Sequence, residues 1–391
     1  MNQTCADHGS STGNNPALGN VVLPVMPANP QMDDVQAAFQ AMPLQGTRQY
    51  YACPTPPTDV AGLLESHFKG VARIADKLIF THTNLDPCWD PCASGADGKH
   101  RDGKYLVGDM VRSGDQGEID EVGDTAHSDW PHPCAAQACG SFMAMGIQQS
   151  ASGSGSNASE IQVYDLRNCL LGQPITLLGT IQRPDDGING VGMTREAGAD
   201  GRYLIAGVNG TVLTVYRSTT STLLPWGVTQ FVQVLQVSDF PDSGAGLALI
   251  TQTDGSLFLV SLNADDNGAN CQIGLYKLDL DAVPPACHAL LRKGMSVPGM
   301  SDSLTILEAY LKNAQPLWGP LLAALLELGN DVLNSSFRWG KGLSITSAAS
   351  MEIYATDRNV VPLSHLPNSG SKKDFSVVVW ASPPSLPGHG V

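Results

Sequence analysis

The sequence contains an internal repeat, and this repeat constrains the fold more than any other feature. The segment GVGMTREAGADGRYLIAGV, which starts at Gly190, aligns with GAGLALITQTDGSLFLVSL, which starts at Gly244. In both copies an early glycine, Gly192 or Gly246, precedes an Asp-Gly turn by the same interval, and a strand-like run follows the turn. A third copy, GKGLSITSAASMEIYATD from Gly340, keeps the glycines and the strand. The repeating unit is therefore a strand, a tight turn and a second strand.

Further short runs rich in β-branched and aromatic residues alternate with turns from about residue 71 onward. Examples are KLIFTHT, EIQVYDL, TVLTVYRS and FSVVVWA. Most intervals between runs are too short for a crossover helix, so we expect antiparallel strands joined by hairpins. A composition of 42% hydrophobic and 15% charged residues, with 41 glycines and 26 prolines, fits a globular protein with many turns.

A unit of this size cannot bury both faces of its small sheet, so the copies must stack on one another. Stacking around an axis gives a β-propeller, and about 54 residues between the two strongest copies suits a four-stranded blade. We therefore predict an all-β fold, a single β-propeller of five to seven blades, with six as the preferred number and a small helical hairpin inserted. We also predict that FSVVVWA, from Phe375, closes the ring by completing a blade begun near Val71.

The motifs DGRYLIAG, LTVYRS and FRWGKGLSI carry a resemblance that covers roughly residues 65 to 385. On these motifs the chain resembles the β-propeller class, and more closely a group of bacterial propeller proteins of uncharacterised function. The resemblance implies a fold and no reaction, because propellers include enzymes, receptors and scaffolds.

The chain divides into an irregular N-terminal segment, 1–60, and a propeller, 61–391, with a helical insertion at 302–330. The N-terminal segment includes a short helix in DDVQAAFQAM, which Asp33 is placed to cap. In the insertion, Pro316 separates two leucine-rich helical faces. We expect this hairpin to pack on the propeller as a cap, with a lid over the channel mouth or a partner-binding surface as the alternatives.

The net charge of −15 argues against a nucleic-acid-binding protein, because phosphate binding depends on clustered lysine and arginine, and no basic stripe is present. The longest apolar run, PLWGPLLAALLELG, is too short to span a membrane. The N-terminus lacks the pattern of a secretory signal, so the sequence predicts a cytoplasmic protein by default, with a mature exported form as the alternative.

Two groups of residues offer metal ligands, although neither matches a known motif. His127, His132, Cys134 and Cys139 have the atoms that zinc prefers, but the favoured interpretation is a loop entering an inner strand, with the cysteines paired or buried. The pairing of the nine cysteines is left open. Calcium ranks ahead of zinc as a candidate cofactor because of two loops rich in Asp and Asn, although turn formation alone explains such residues. These residues are Asp86, Asp90, Asp97, Asp102, Asp265, Asp266, Asn267 and Asn270.

Polar residues precede or begin the predicted inner strands, where loops of several blades would meet at one mouth of the channel. They are His67, Lys69, His132, Gln137, Asn189, Asp242, Arg338 and Lys341. This ring is polar without being rich in carboxylates, which favours an anionic or sugar-like ligand over a calcium centre.

From this ring we predict a ligand-binding site formed by His67, His132, Arg338 and Lys341, with no catalytic residues. The favoured function is a non-catalytic binding or scaffolding protein for a small-molecule or protein ligand. The alternative is a metal-assisted hydrolase of the lactonase or phytase type.

Overall fold

The computed structural model describes residues 31–53, 67–83, 103–111, 116–125, 130–149, 158–242, 246–264, 271–295, 340–356 and 374–382. The predicted helical insertion, the two Asp-rich loops and Arg338 lie outside these residues. No helix in the described part of the chain is long and apolar enough to cross a membrane.

The described residues form five four-stranded blades, one short α-helix, α1 (Val35–Ala41), and two 3-10 turns at Cys169–Leu171 and Trp226–Val228. Blade 1 contains β2 (His67–Ile74), β3 (Lys77–Thr83), β4 (Lys104–Asp109) and β5 (Gln116–Asp124). Blade 2 contains β6 (His132–Cys139), β7 (Phe142–Gln148), β8 (Ser159–Asp165) and β9 (Thr176–Arg183). Blade 3 contains β10 (Gly190–Arg195), β11 (Tyr203–Asn209), β12 (Val212–Ser218) and β13 (Phe231–Val237). Blade 4 contains β14 (Gly246–Thr251), β15 (Leu257–Ala264), β16 (Cys271–Asp279) and β17 (Ala286–Met295). Blade 5 contains β18 (Lys341–Ser347), β19 (Ser350–Thr356), β20 (Phe375–Ala381) and β1 (Thr47–Ala52).

The topology confirms the predicted all-β propeller, and five blades fall within the predicted range. The preferred number, six, is one more than the described residues contain. The repeat fixes the size of one blade, because it sets how many residues four strands and their turns require. The number of blades depends instead on how closely neighbouring inner strands approach, and the interval between copies does not report that distance.

Ring closure uses a strand from the N-terminal segment. β1 pairs antiparallel with β20, with Tyr51 opposite Phe375, and it also pairs parallel with β5 of blade 1. A bridge between Lys341 and Gly70 joins the inner strands β18 and β2. Blades 5 and 1 thus share one closed ring of eight strands, whereas blades 2, 3 and 4 are separate sheets.

The closing strand differs from the predicted one, because Val71 belongs to β2, the inner strand of blade 1. The segment Thr47–Ala52, TRQYYA, lies in the part of the chain that was expected to be irregular. This strand is difficult to predict because it contains several polar residues. Only Gln49 and Tyr51 are buried, and the residues on either side of each are partly or fully exposed. The predicted helix is present as α1, but Asp34 rather than Asp33 caps it by accepting a hydrogen bond from the Ala37 amide at 2.9 Å.

The apolar core lies between the faces of neighbouring blades. Along β7, Met143 and Met145 pack towards blade 1 with Ala72 and Ile79, whereas Ala144 packs towards blade 3 in a cluster that contains Val191. This is the alternation that a strand buried on both faces requires.

The repeated glycines lie at the beginnings of the inner strands, as the repeat predicts: Gly192 in β10, Gly246 in β14 and Gly342 in β18. A Cβ atom on Gly192 would lie 2.8 Å from the amide nitrogen of Leu249, on the next inner strand. A Cβ atom on Gly342 would lie 1.7 Å from the carbonyl oxygen of Val71. Glycine is therefore required for the inner strands to approach this closely.

We expect Gly342→Ala to lower the free energy of unfolding by roughly 1–3 kcal/mol, because the added methyl group overlaps the β2 backbone and a backbone cannot rotate away. Gly294→Ala is the matched control, since nothing lies within 4 Å of a Cβ atom there, and it should change stability by less than about 0.5 kcal/mol. Urea unfolding monitored by circular dichroism measures both values. Equal stability of the two variants would contradict the proposed role of Gly342.

Candidate functional site

The structure brings two of the four predicted site residues together. His67 is the first residue of β2 and His132 is the first residue of β6. Their imidazole rings lie between blades 1 and 2, with centroids 5.3 Å apart and planes inclined at 63°. Both side chains are buried, and each residue is 5% exposed.

Lys341 lies elsewhere, and Arg338 is outside the described residues. Lys341 begins β18, but its Cβ atom lies close to the Gly246 position, on the face of blade 5 that points towards blade 4. There it lines a small, mainly apolar cavity with residues such as Met295 and Trp380. Of the four side chains that were predicted to form one site, the two histidines are the ones that lie together among the described residues.

Thr83, at the end of β3, holds the ring of His132. Its Oγ1 atom lies 3.1 Å from Nδ1 of His132, so the hydroxyl fixes both the tilt of the imidazole and the direction of its other nitrogen. Two residues earlier, on the same face of β3, the Thr81 hydroxyl donates a hydrogen bond to the carbonyl oxygen of Cys134 at 2.7 Å and so links β3 to β6. The sequence does not indicate Thr83 as a site residue, because a threonine at the end of a strand gives no signal of this contact.

A β-bulge is responsible for the meeting of the two histidines. In β2 the register shifts between Phe68 and Gly70, which makes Lys69 an extra residue. Gly70 faces blade 2, and strict alternation would turn a residue three positions earlier towards blade 5. The extra residue reverses this direction, so His67 faces blade 2 and contacts His132.

A second bulge follows His132, between Pro133 and Ala136 of β6. The inner strands β10 and β14 pair without any shift, and the shift in β18 lies near its far end, between Ile345 and Ser347. Among the five inner strands, only the two that carry the histidines thus bulge near their beginnings. Bulges that redirect a side chain are common beside active sites.

The side chain of Gln137 crosses the channel below this pair. Its Oε1 atom accepts hydrogen bonds from the amides of Met193 and Leu249, both at 2.7 Å, and its Nε2 donates to the Leu249 carbonyl at 2.9 Å. These partners belong to the inner strands of blades 3 and 4. Gln137 therefore links the inner strands of blades 2, 3 and 4.

The predicted zinc ligands do not converge in the described residues. His132 faces blade 1, whereas Cys134 packs towards blade 3 and its thiol donates to the carbonyl oxygen of Ile188. Burial raises the pKa of the Cys139 thiol well above its usual range, which leaves it protonated. Across the described ranges, no three His, Cys, Asp or Glu side chains are grouped as metal ligands, and His127 lies outside them.

Three carboxylates near the same end of the propeller are each paired with a cation. Asp124 pairs with Lys104 and Asp186 pairs with Arg183. Asp242 is buried and accepts from Arg292 at 2.6 Å and from the hydroxyl of Tyr276. Desolvation and the neighbouring carboxylate raise the pKa of Tyr276 above its ordinary value, so the phenol remains a donor. These three ion pairs stabilise the ends of the blades.

No protein family model matches the chain, and no curated protein is similar to it in sequence. Similar solved structures include an α-L-arabinofuranosidase of Fusarium graminearum, with 11% identity over 86% of this chain and 98% of that chain, and a TM-score of 0.43. An α-L-arabinanase of Penicillium chrysogenum has 10% identity over 86% and 98% of the two chains and a TM-score of 0.42. A periplasmic gluconolactonase of Pseudomonas aeruginosa has 13% identity over 81% and 88%, with a TM-score of 0.31.

The prediction of a non-catalytic binding or scaffolding protein is corrected here, because these similar structures are all named as enzymes. The activities in those names belong to those proteins. The assignment of this chain to the propeller class rests on its strand topology, and any reaction has to be argued from the geometry of the site.

Proposed function

We propose that this protein is a hydrolase and that the His67–His132 pair is its reacting centre. The observation that supports this most directly is the bulge at Lys69, which turns His67 away from its expected direction and places it against His132. Two imidazoles in contact at the beginnings of two inner strands provide a general base and a general acid that one bound molecule could reach.

The proposed reaction is the addition of water to an acyl or phosphoryl centre with an oxygen leaving group. One neutral imidazole takes a proton from the attacking water, whose oxygen bonds to the substrate. The other imidazole, in its protonated form, gives a proton to the leaving oxygen as its bond to the substrate breaks. The proton then returns through solvent, so the net change is the consumption of one water molecule. The Thr83 hydroxyl keeps the ring of His132 in position, as the third group does in other base-assisted sites.

Purified full-length protein should hydrolyse at least one member of a panel containing a chromogenic aryl ester, a γ-lactone and an aryl phosphate. We expect His67→Asn and His132→Asn each to lower kcat/KM by about 100-fold or more, which is the usual contribution of a general acid or base. His288→Asn is the matched control, because His288 is exposed on β17, and it should keep the wild-type activity.

Thr83 provides a test that keeps both imidazoles. Thr83→Val should lower kcat more than KM, and Thr83→Ser, which restores the hydroxyl, should recover most of the activity. The panel is repeated with EDTA and with added Ca²⁺ or Zn²⁺. Activity that disappears in EDTA and returns with one ion would favour the metal-assisted form of the hydrolase. Absence of hydrolysis under every condition, or full activity of both folded histidine variants, would refute the proposal.

Two finer points from the sequence remain proposals. One is the closer relationship to bacterial propeller proteins, which the motifs DGRYLIAG and FRWGKGLSI support. The other is the domain organisation, with a boundary near residue 60 and a helical insertion at 302–330. The segment before that boundary supplies α1 and the closing strand β1.

A further inference from the structure

Two segments at the outer edge of the propeller contain no charged residue. They are 168–182, which includes β9, and 218–238, which includes β13. Charged residues make up 15% of the chain and give it a net charge of −15, so their absence from both segments is a local property. The arginines that border the segments, Arg167, Arg183 and Arg217, each pair with a carboxylate of the chain. We call the surface that these two segments expose the neutral edge.

The two segments of the neutral edge are in contact with each other. A Cβ atom on Gly179 of β9 would overlap the indole ring of Trp226, so this ring lies directly on the backbone of β9. Leu178 packs against the same core cluster as Trp226 and Phe231. The neutral edge is therefore one continuous surface across blades 2 and 3.

The neutral edge also exposes apolar side chains. Val228 is 65% exposed, Val232 is 48% exposed and Leu171 is 41% exposed. Other exposed residues of the two segments are polar but uncharged, among them Gln173, Thr176, Gln182, Thr219, Gln230 and Gln236. A surface that combines exposed apolar residues with an absence of charge has the composition of the centre of a protein–protein interface.

A second copy of this chain is the partner that these properties favour. In a two-fold dimer the same patch lies on both sides, so a charged residue near the axis would face its own copy and be repelled. Two chains that each carry a net charge of −15 repel each other at their acidic faces, and the neutral edge avoids this cost. Glutamine and threonine side chains have both donors and acceptors, so they form hydrogen bonds with their own copies.

The outer strands favour contact through side chains over pairing of the backbones. β9 and β13 each contain a bulge, where Leu178 and Val234 are the extra residues. A bulge interrupts the regular row of backbone groups that an additional strand needs for pairing. This arrangement suits a closed dimer and disfavours an extended sheet of many copies.

We propose that the neutral edge of blades 2 and 3 is the interface of a two-fold symmetric homodimer, with Val228 and Val232 in its apolar centre. This inference concerns assembly and goes beyond the proposed hydrolase function. It stands or fails independently of hydrolysis, because the histidine pair lies at the inner strands of blades 1 and 2.

Sedimentation velocity of the purified full-length protein tests the proposal. We expect a dimer at micromolar concentrations. We also expect added NaCl to strengthen it, because salt screens the repulsion between two acidic chains and leaves apolar contacts intact. A protein that is still monomeric at about 100 μM, or a dimer that dissociates as salt is added, would show that the proposal is wrong.

Val228→Asp and Val232→Asp should each raise the dissociation constant of the dimer at least about 100-fold, because each brings a carboxylate to the same patch on both copies. Leu44→Asp is the matched control, because Leu44 is 61% exposed and precedes β1 in blade 5, and it should dimerise like the wild type. Circular dichroism verifies folding, and where Val232→Asp does not fold, Val228→Asp in the turn before β13 decides. A dimer that survives these substitutions would refute the proposed interface.

A mixture of two variants tests the two-fold arrangement. Val232→Asp and Val232→Lys should each be monomeric alone, because like charges meet across the axis. An equimolar mixture should associate at least about tenfold more tightly than either variant alone, because opposite charges then meet. A mixture that remains monomeric would contradict a two-fold interface centred near Val232.

Discussion

A chain truncated after Asp374, and therefore lacking β20, is expected to lose its cooperative thermal unfolding transition altogether. β20 lies between β19 and β1, so its removal leaves each of these strands with one unpaired edge and opens the eight-stranded ring. It also removes Phe375, Val377 and Trp380, which are almost completely buried. Unpaired edges of this length promote aggregation.

Circular dichroism and size-exclusion chromatography measure this outcome. The matched control ends at Ser382, directly after β20, and should melt at the wild-type temperature because every described strand is kept. A chain that ends at Asp374 and still melts at that temperature would contradict the closure described here.

The same closure can be tested with a single side chain. Tyr51 in β1 is completely buried, stacks on Phe375 at 5.4 Å, and donates a hydrogen bond from its hydroxyl to the carbonyl oxygen of Asp109 at 3.0 Å. Tyr51→Ala should lower the free energy of unfolding by about 3–5 kcal/mol, as large aromatic truncations in cores do. Its neighbour Tyr50 is 41% exposed, and Tyr50→Ala should cost less than about 1 kcal/mol.

Gln137→Met should lower the free energy of unfolding by about 3 kcal/mol or more, although methionine has nearly the same volume. The substitution leaves the Met193 amide and both backbone groups of Leu249 without their present partner, and each buried polar group left unsatisfied costs about 1–3 kcal/mol. Gln137→Glu should be at least as harmful, because it places a carboxylate oxygen against the Leu249 carbonyl oxygen.

Urea unfolding provides the comparison, with Gln233→Met as the control on the exposed face of β13. That control should remain within about 0.5 kcal/mol of the wild type. If Gln137→Met proves as stable as Gln233→Met, then Gln137 does not hold the inner strands together.

The sequence was sufficient to predict the strands that are buried on both faces. Runs such as KLIFTHT, EIQVYDL and FSVVVWA coincide with β3, β8 and β20, because apolar side chains occupy these strands more densely than polar ones. The strands that it missed, β1, β5 and β17, are outermost in their blades. Their exposed positions carry polar residues, as in QGEIDEVGD, so neither a continuous apolar run nor a clean alternation marks them.

The candidate site was predictable only in part. The direction of a side chain depends on how many residues separate it from a strand position whose direction is known, and a bulge changes that number. The glycines Gly70 and Gly342 both face the following blade. Lys341, one position before Gly342, therefore faces the preceding blade, away from blade 1. His67 would do the same without the bulge at Lys69. The register shift is set by the backbone pairing of β2 with β3, and no residue type in HFKGVARI indicates where it occurs.

The eight-stranded ring joins strands from the two ends of the described chain, and this arrangement affects how the protein folds during its synthesis. During translation, blades 2, 3 and 4 emerge with all of their own strands in sequence, whereas β1 must wait for β20. At typical rates of synthesis, on the order of tens of seconds separate the appearance of these two partners at the ribosome. Throughout that time the face of blade 1 that carries Phe68 and Phe80 has no covering blade, so the nascent protein passes through a stage at which chaperones have a defined apolar surface to bind.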